Sequence, residues 1–335
     1  MCAVAGPISA HAQDATFQWA GAYGGGTYSA AFESVVDSRG NIYTVGAFDG
    51  TVDFDRSGAV ENRASAGQTD GYILKSDPLG NFIWVVTFGG SGSDEFTACA
   101  IDESDSVYAL LQFQGTFDVD PGPGSTILSS AGAVDAALVK IDADGDLLLA
   151  RSSGGTGNDS PLGLAVSNDG SLFFSGTFSS PTIDLDPGAG TSLATLNGAR
   201  DMWIVKLDRF GAYVWGHAIG GSGDDVGSHV AVDSSGDIWF VTGFQGTVDF
   251  DPGAGTSNLT ATGQDDMGIA IFDPTGSLIT VFQIGGSGRD NSNDVFVDTF
   301  GNVYLTGVFE STVDFDPSGS VANLSSNGDR DFFLA

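Results

Sequence analysis

Short apolar runs alternating with tight polar breaks are clearest between residues 229 and 284. His229 to Asp233 (HVAVD) reads as a strand, and after the turn Ser234-Ser235-Gly236 a second begins at Ile238 (IWFVTGF). A glycine-rich excursion holding a short SNLTATG segment follows. Met267 to Phe272 (MGIAIF) then predicts a third strand, Asp273 to Gly276 a tight turn, and Leu278 to Ile284 a fourth strand. Four strands, mostly joined by hairpin-length turns, make a meander.

The same pattern returns along nearly the whole chain, marked by TVDFDPGAGT from Thr247. Related blocks begin at Thr51, Thr116, Thr182 and Thr312, and their first aspartates are Asp53, Asp118, Asp184, Asp249 and Asp314. The steps are 65, 66, 65 and 65 residues, so one structural unit is copied five times. Four-stranded antiparallel sheets repeated radially describe an all-β chain folded as a β-propeller. The units run approximately 24–88, 89–153, 154–219, 220–284 and 285–335, within a propeller of residues 13–335. Phe17 to Tyr23 matches a fourth strand with no blade before it, and the last unit stops inside a third strand. The N-terminal strand is therefore a candidate to close the last blade; a longer parent with more blades is the alternative.

Local chemistry fits this plan. An Asp opens and a Gly closes most tight turns, as in Asp37 to Gly40, Asp77 to Gly80, Asp142 to Gly145, Asp208 to Gly211 and Asp298 to Gly301. The carboxylate caps backbone N–H groups and the glycine takes the positive φ, so these acids are read as structural. Trp19, Trp84 and Trp215 hold equivalent places on fourth strands, which predicts core or blade-to-blade packing. Phe48, Phe113, Phe178, Phe244 and Phe309 are read as core in the same way.

Two stretches resemble a known family. The strand pair Val297 to Gly307 (VDTFGNVYLTG) and the segment Trp203 to Asp208 (WIVKLD) are similar to the bacterial SBBP-type β-propeller repeat, found in secreted and surface proteins. The resemblance extends over about residues 17 to 335 and implies the fold. That family has no single activity, so no catalytic residue follows from it. The long loop between second and third strands departs from the shorter blades usual for propellers.

Composition narrows the partners. Eleven Lys plus Arg face 43 Asp plus Glu, for a formal net charge of -32. Such a surface repels nucleic acid and anionic lipid and attracts cations. No apolar run approaches a membrane span, so membrane insertion is not expected. Cys2 and Cys99 are the only thiols, which excludes a disulfide framework. Cys99 lies in an apolar strand pattern and is expected to be buried and inert. Residues 1–12, ending in Ala10-His11-Ala12, read as the remnant of a signal peptide. These features predict a monomeric module at the bacterial cell surface or outside the cell.

Candidate chemistry falls in two places. The second-to-third and fourth-to-first loops of a meander emerge on one face, so the DFDP blocks and the recurring GGxGxD loops share a rim. One expectation is Ca²⁺ held there by Asp53, Asp55, Asp118, Asp120, Asp184, Asp186, Asp249, Asp251, Asp314 and Asp316. Asp94, Asp159, Asp225 and Asp290 of the GGxGxD loops form a second such set; unit one has Ser29 there. The competing expectation is turn chemistry on an acidic surface. The other place is the axis. Four residues before each first-turn position the units carry Glu33, Ala98, Gly163, His229 and Asp294, and in a ring Glu33, His229 and Asp294 gather near the channel. Those three are the candidate acid-base residues of an enzyme, of glycoside hydrolase or lyase type. His217 has no equivalent in other units and is expected at the surface. No catalytic motif is recognised, which favours a binding or structural module for a protein or glycan over an enzyme.

Overall fold

The computed structural model describes residues 17–335, all of it strand and loop. The leader-like segment lies outside the described residues. Blade one comprises Ser29–Val36, Ile42–Phe48, Asp70–Ser76 and Phe82–Phe88; blade two Glu95–Ile101, Val107–Phe113, Asp135–Ile141 and Leu147–Gly155. Blade three is Asp159–Val166, Leu172–Phe178, Asp201–Leu207 and Tyr213–Ile219; blade four Val226–Val232, Ile238–Phe244, Asp266–Phe272 and Leu278–Ile284. Blade five has Asn291–Val297, Val303–Phe309 and Asp331–Leu334. Every pairing within a blade is antiparallel.

Alternation along each strand builds the core between blades rather than within them. In blade four, Phe240 packs with Phe173 and Ile204 of blade three, whereas its neighbour Val241 packs with Val295 and Leu305 of blade five. Successive side chains point to opposite faces of a sheet, and here each face meets a different blade. Trp203, fully buried between blades two and three, contributes about 2–3 kcal/mol by leaving water. A blade alone would expose both faces, so the blades are stable only in company.

The expected anchors are in place. Phe48, Phe113, Phe178, Phe244 and Phe309 are buried, and Cys99 is buried with its thiol pushed up by desolvation. Indole N–H groups staple blade one to a turn of blade two and blade three to a turn of blade four: Trp84 donates to the Ala143 carbonyl at 3.1 Å and Trp215 to that of Pro274 at 3.3 Å. Trp19 donates likewise to Pro78 at 3.1 Å. His217 departs from expectation. It stacks on Trp215 with centroids 4.8 Å apart and contacts the Gly276 carbonyl at 2.8 Å, half-buried at the same junction. A polar residue facing a neighbouring turn is covered by it, which a strand pattern read one unit at a time does not register.

Asp-to-Gly turns also behave as expected. Asp77 accepts the N–H of Leu79 and of Asn81, both at 2.8 Å, and Gly80 has φ 74°. The first turn of blade two departs from the pattern: Asp105 itself takes φ 60°, and its carboxylate accepts the N–H and hydroxyl of Ser38 in blade one.

The closing strand is not formed. Among the described residues Asp331–Leu334 pairs only with Val303–Phe309, and residues 17–23 lie against blade one through Trp19 and through the Arg56 guanidinium, which donates to the Ala20 carbonyl. The close packing of one blade on the next does not recur between the fifth and the first. Phe32 and Val36 on blade one, and Phe296, Tyr304 and Phe332 on blade five, remain exposed.

Candidate functional site: the axial pocket

Two kinds of acidic position must be told apart before any chemistry is assigned. In the DFDP blocks the first carboxylate is engaged by its own loop. Asp249 Oδ1 accepts the N–H of Asp251 at 3.1 Å and of Ser257 at 2.8 Å; Asp53, Asp118, Asp184 and Asp314 repeat this. The second carboxylate caps the Gly or Ser that follows: Asp251 to Gly253 at 2.8 Å, and likewise Asp55, Asp120, Asp186 and Asp316. Between them Phe54, Val119, Leu185 and Phe250 point inward and are buried. The block starts a two-stranded ribbon of its own, Thr247–Asp249 against Asn258–Thr260, so its length is folded rather than loose.

The GGxGxD acids are fully buried. Asp225 Oδ2 accepts Gly221 N–H at 2.7 Å and Oδ1 accepts Gln245 N–H at 2.9 Å, fastening the glycine loop to the end of the second strand. Asp94, Asp159 and Asp290 do the same. Unit one, with Ser29 at that position, reverses the roles: Asp49 accepts the N–H of Thr27 and Tyr28 at 2.6 and 2.7 Å. The two motifs do share a rim, since Gly286 bridges to Val313 and Gly155 pairs with Ile183. Among the described residues no three acids, histidines or cysteines lie close enough to hold a metal.

Asp70, Asp135, Asp201 and Asp266, opening the third strands, were not among the candidate acids, although they recur at the same interval. Each is buried against the glycine loop of the next unit, and a Cβ on Gly89, Gly154, Gly220 or Gly285 would overlap its carboxylate. Asp135 accepts Ala131 N–H through Oδ2 at 2.6 Å, while its Oδ1 has no partner; Asp70 and Asp201 share this. Burial, assisted by nearby Asp159, pushes the Asp135 carboxyl up to about 6.

At the axis the five aligned residues meet. Glu33, Ala98, Gly163, His229 and Asp294 all line one pocket of about 280 Å³. Every inner strand carries an irregularity in pairing beside this position: between Ala31 and Glu33, Phe96 and Ala98, Pro161 and Gly163, Gly227 and Val230, and Ser292 and Asp294. Bulges re-aim side chains, and here five of them turn one register position toward the axis. No apolar pattern reveals a bulge, so this part of the site was invisible in the sequence.

The three polar members form an asymmetric set. His229 Nδ1–H donates to Asp294 Oδ1 at 2.9 Å, since a carboxylate can only accept. Nε2 has no hydrogen-bond partner among the described residues. Glu33 Oε2 accepts the Cys99 N–H at 2.6 Å. Desolvation by the pocket walls raises the Glu33 carboxyl above the usual range, opposed by that N–H and by His229 and reinforced by Asp294. Desolvation also pushes Asp294 up, but the bond and charge of His229 outweigh it and leave Asp294 low. Opposed shifts in neighbouring carboxyls are what acid-base chemistry or charge-selective binding requires.

Comparison with known proteins agrees on the repeat. Residues 282–308 match the profile of the SBBP beta-propeller repeat. The chain is 30% identical to the regulatory protein FlaEY of Caulobacter vibrioides over 45% of this chain and 16% of that protein. It is 22% identical to the uncharacterized WD repeat-containing protein L264 of Acanthamoeba polyphaga mimivirus over 83% of this chain and 24% of that one. It thus spans less than a quarter of either relative's length. A solved extracellular domain of a hybrid two-component system from B. thetaiotaomicron aligns with 89% of this chain and 54% of that one, at 11% identity and a TM-score of 0.17.

Proposed function

Taking as premise that the chain is a β-propeller carrying the SBBP repeat, we propose that it is a binding module of the cell surface or extracellular space, with its ligand contact at the axial pocket. One observation carries this reading: the recurring aspartates of the rim are committed to backbone N–H groups, whereas Glu33, His229 and Asp294 bring non-repeated polar chemistry to one point on the axis. Repeated residues maintain a repeated fold; a polar set that does not repeat, gathered at the axis, is where recognition can differ from fold maintenance. Strong negative charge and the leader-like N-terminus support the location.

A propeller enzyme would draw on the same three residues, with Glu33 as acid and the His229–Asp294 pair as base. A lyase acting on uronic acids fits poorly, because no Lys or Arg lines the pocket to hold the substrate carboxylate. Incubation with a panel of neutral, amino and uronic oligosaccharides, followed by NMR of the inner-strand amides, separates the readings. Binding predicts shifts at residues 33, 229 and 294 with the sugars recovered intact; turnover that disappears in Glu33→Gln would establish the enzyme instead.

A further inference from the structure

We propose that the axial pocket binds a small aliphatic amine, its ammonium held among Glu33, His229 and Asp294 and its alkyl body lying along the aliphatic wall of the inner strands. This rests on the reading of the axis as the ligand contact and specifies the ligand's chemistry.

Four features of the pocket point the same way. Its acidic lining is Glu33 and Asp294, beside the His229 ring and with no Lys or Arg, so it favours positive charge. The surrounding net charge of -32 concentrates cations near its mouth. A primary ammonium is an N–H donor only, and the pocket offers it the carboxylates of Glu33 and Asp294, from blades one and five. The remaining wall, with Leu164, Val166, Val230 and Val232, is aliphatic and suits methylene groups.

A bare metal ion fits less well. Metal–ligand bonds of about 2.0–2.4 Å need a tighter set than these residues make, and no such trio is present among the described residues. An ammonium reaches its acceptors at about 2.8 Å and a flexible amine adapts to wider spacing. The pairing irregularities at all five inner strands place this set on rigid strands rather than loops.

The probe is 1,4-diaminobutane, titrated into the ¹⁵N-labelled chain at constant ionic strength of about 0.15 M, where long-range attraction is screened. The expected result is a saturable shift confined to the amides of residues 33, 99, 229 and 294 and to the His229 ring. Tetramethylammonium, equal in sign but without N–H donors, is expected to bind about tenfold more weakly or worse, a comparison that needs no variant. Glu33→Gln and Asp294→Asn should each weaken the diamine by about tenfold with the melting temperature unchanged. Each variant removes only one of 43 acidic residues, so association with the general charge would hardly notice it. Shifts spread over the acidic rim, a linear unsaturated response, or equal binding of tetramethylammonium would overturn the proposal. Shifts at the axis with neutral oligosaccharides but none with the diamine would overturn the amine while leaving the axial contact standing.

Discussion

Replacing Asp225 by Ala should cost about 3–5 kcal/mol, whereas Asp251→Ala should cost about 1 kcal/mol, although both acids belong to recurring loop motifs. Asp225 is fully buried and serves two N–H groups, those of Gly221 and Gln245. Truncation strands both donors in a dry site and leaves a cavity, and each unsatisfied group costs about 1–3 kcal/mol. Asp251 caps Gly253 within its own loop, where water can take over. Chemical denaturation of the two variants beside the parent checks this. The same reasoning expects melting curves in excess EDTA and in millimolar Ca²⁺ to superimpose, because the rim carboxylates already accept N–H donors. A rise in melting temperature with Ca²⁺ that Asp251→Ala abolishes would show the rim to be an ion site instead.

The second large effect is one of pH, and its sign is opposite to ordinary acid denaturation. A carboxyl whose folded value is raised favours the protonated form in the folded state. Its stabilising contribution is complete below about pH 4 and is lost as pH rises through the folded value. For Asp135, raised from 3.8 to about 6, the loss across that window is about 3 kcal/mol. Burial also raises Asp70, Asp94, Asp201, Asp225 and Asp290, so the junctions of several blades weaken together. Exposed capping acids such as Asp77, Asp273 and Asp298 are lowered, chiefly by hydrogen bonds from Asn81, Thr275 and Asn302, and oppose this at the acid end. Asp135→Asn keeps an acceptor for Ala131 N–H and removes the buried charge. It should raise stability at neutral pH by up to about 3 kcal/mol and flatten the fall between about pH 4 and pH 6. A variant less stable than the parent at neutral pH, with the slope intact, would mean that Asp135 is comfortably ionised.

How much of this was legible in the residues depends on whether the cause is local. Asp-to-Gly turns and the apolar run Ile238–Phe244 are local, and the strands and turns fall where those patterns place them. The period of the DFDP block carries the propeller, because copies of one unit can bury their faces only against each other. The axial trio was also within reach, since alignment of the copies puts Glu33, His229 and Asp294 at one register position. What escaped depends on neighbours. His217 is covered by a turn of the next blade, the burial of Asp135 is imposed by Gly154 and the loop after it, and the bulge at Ser228 and His229 is a property of strand pairing. Whether residues 17–23 pair with Asp331–Leu334 is likewise settled by where blades one and five stand, not by the resemblance of those residues to a fourth strand.

The most direct measurement is the titration of the Glu33 carboxyl by ¹³C NMR in the parent, in Asp294→Asn and in His229→Gln. Glu33 meets those residues only if five meanders curve round one axis and bring blade one to face blades four and five. In that case the parent midpoint lies above the ordinary glutamate value, Asp294→Asn lowers it and His229→Gln raises it. A Glu33 that titrates like a free surface glutamate and ignores both substitutions would contradict the axial assembly and the site built on it.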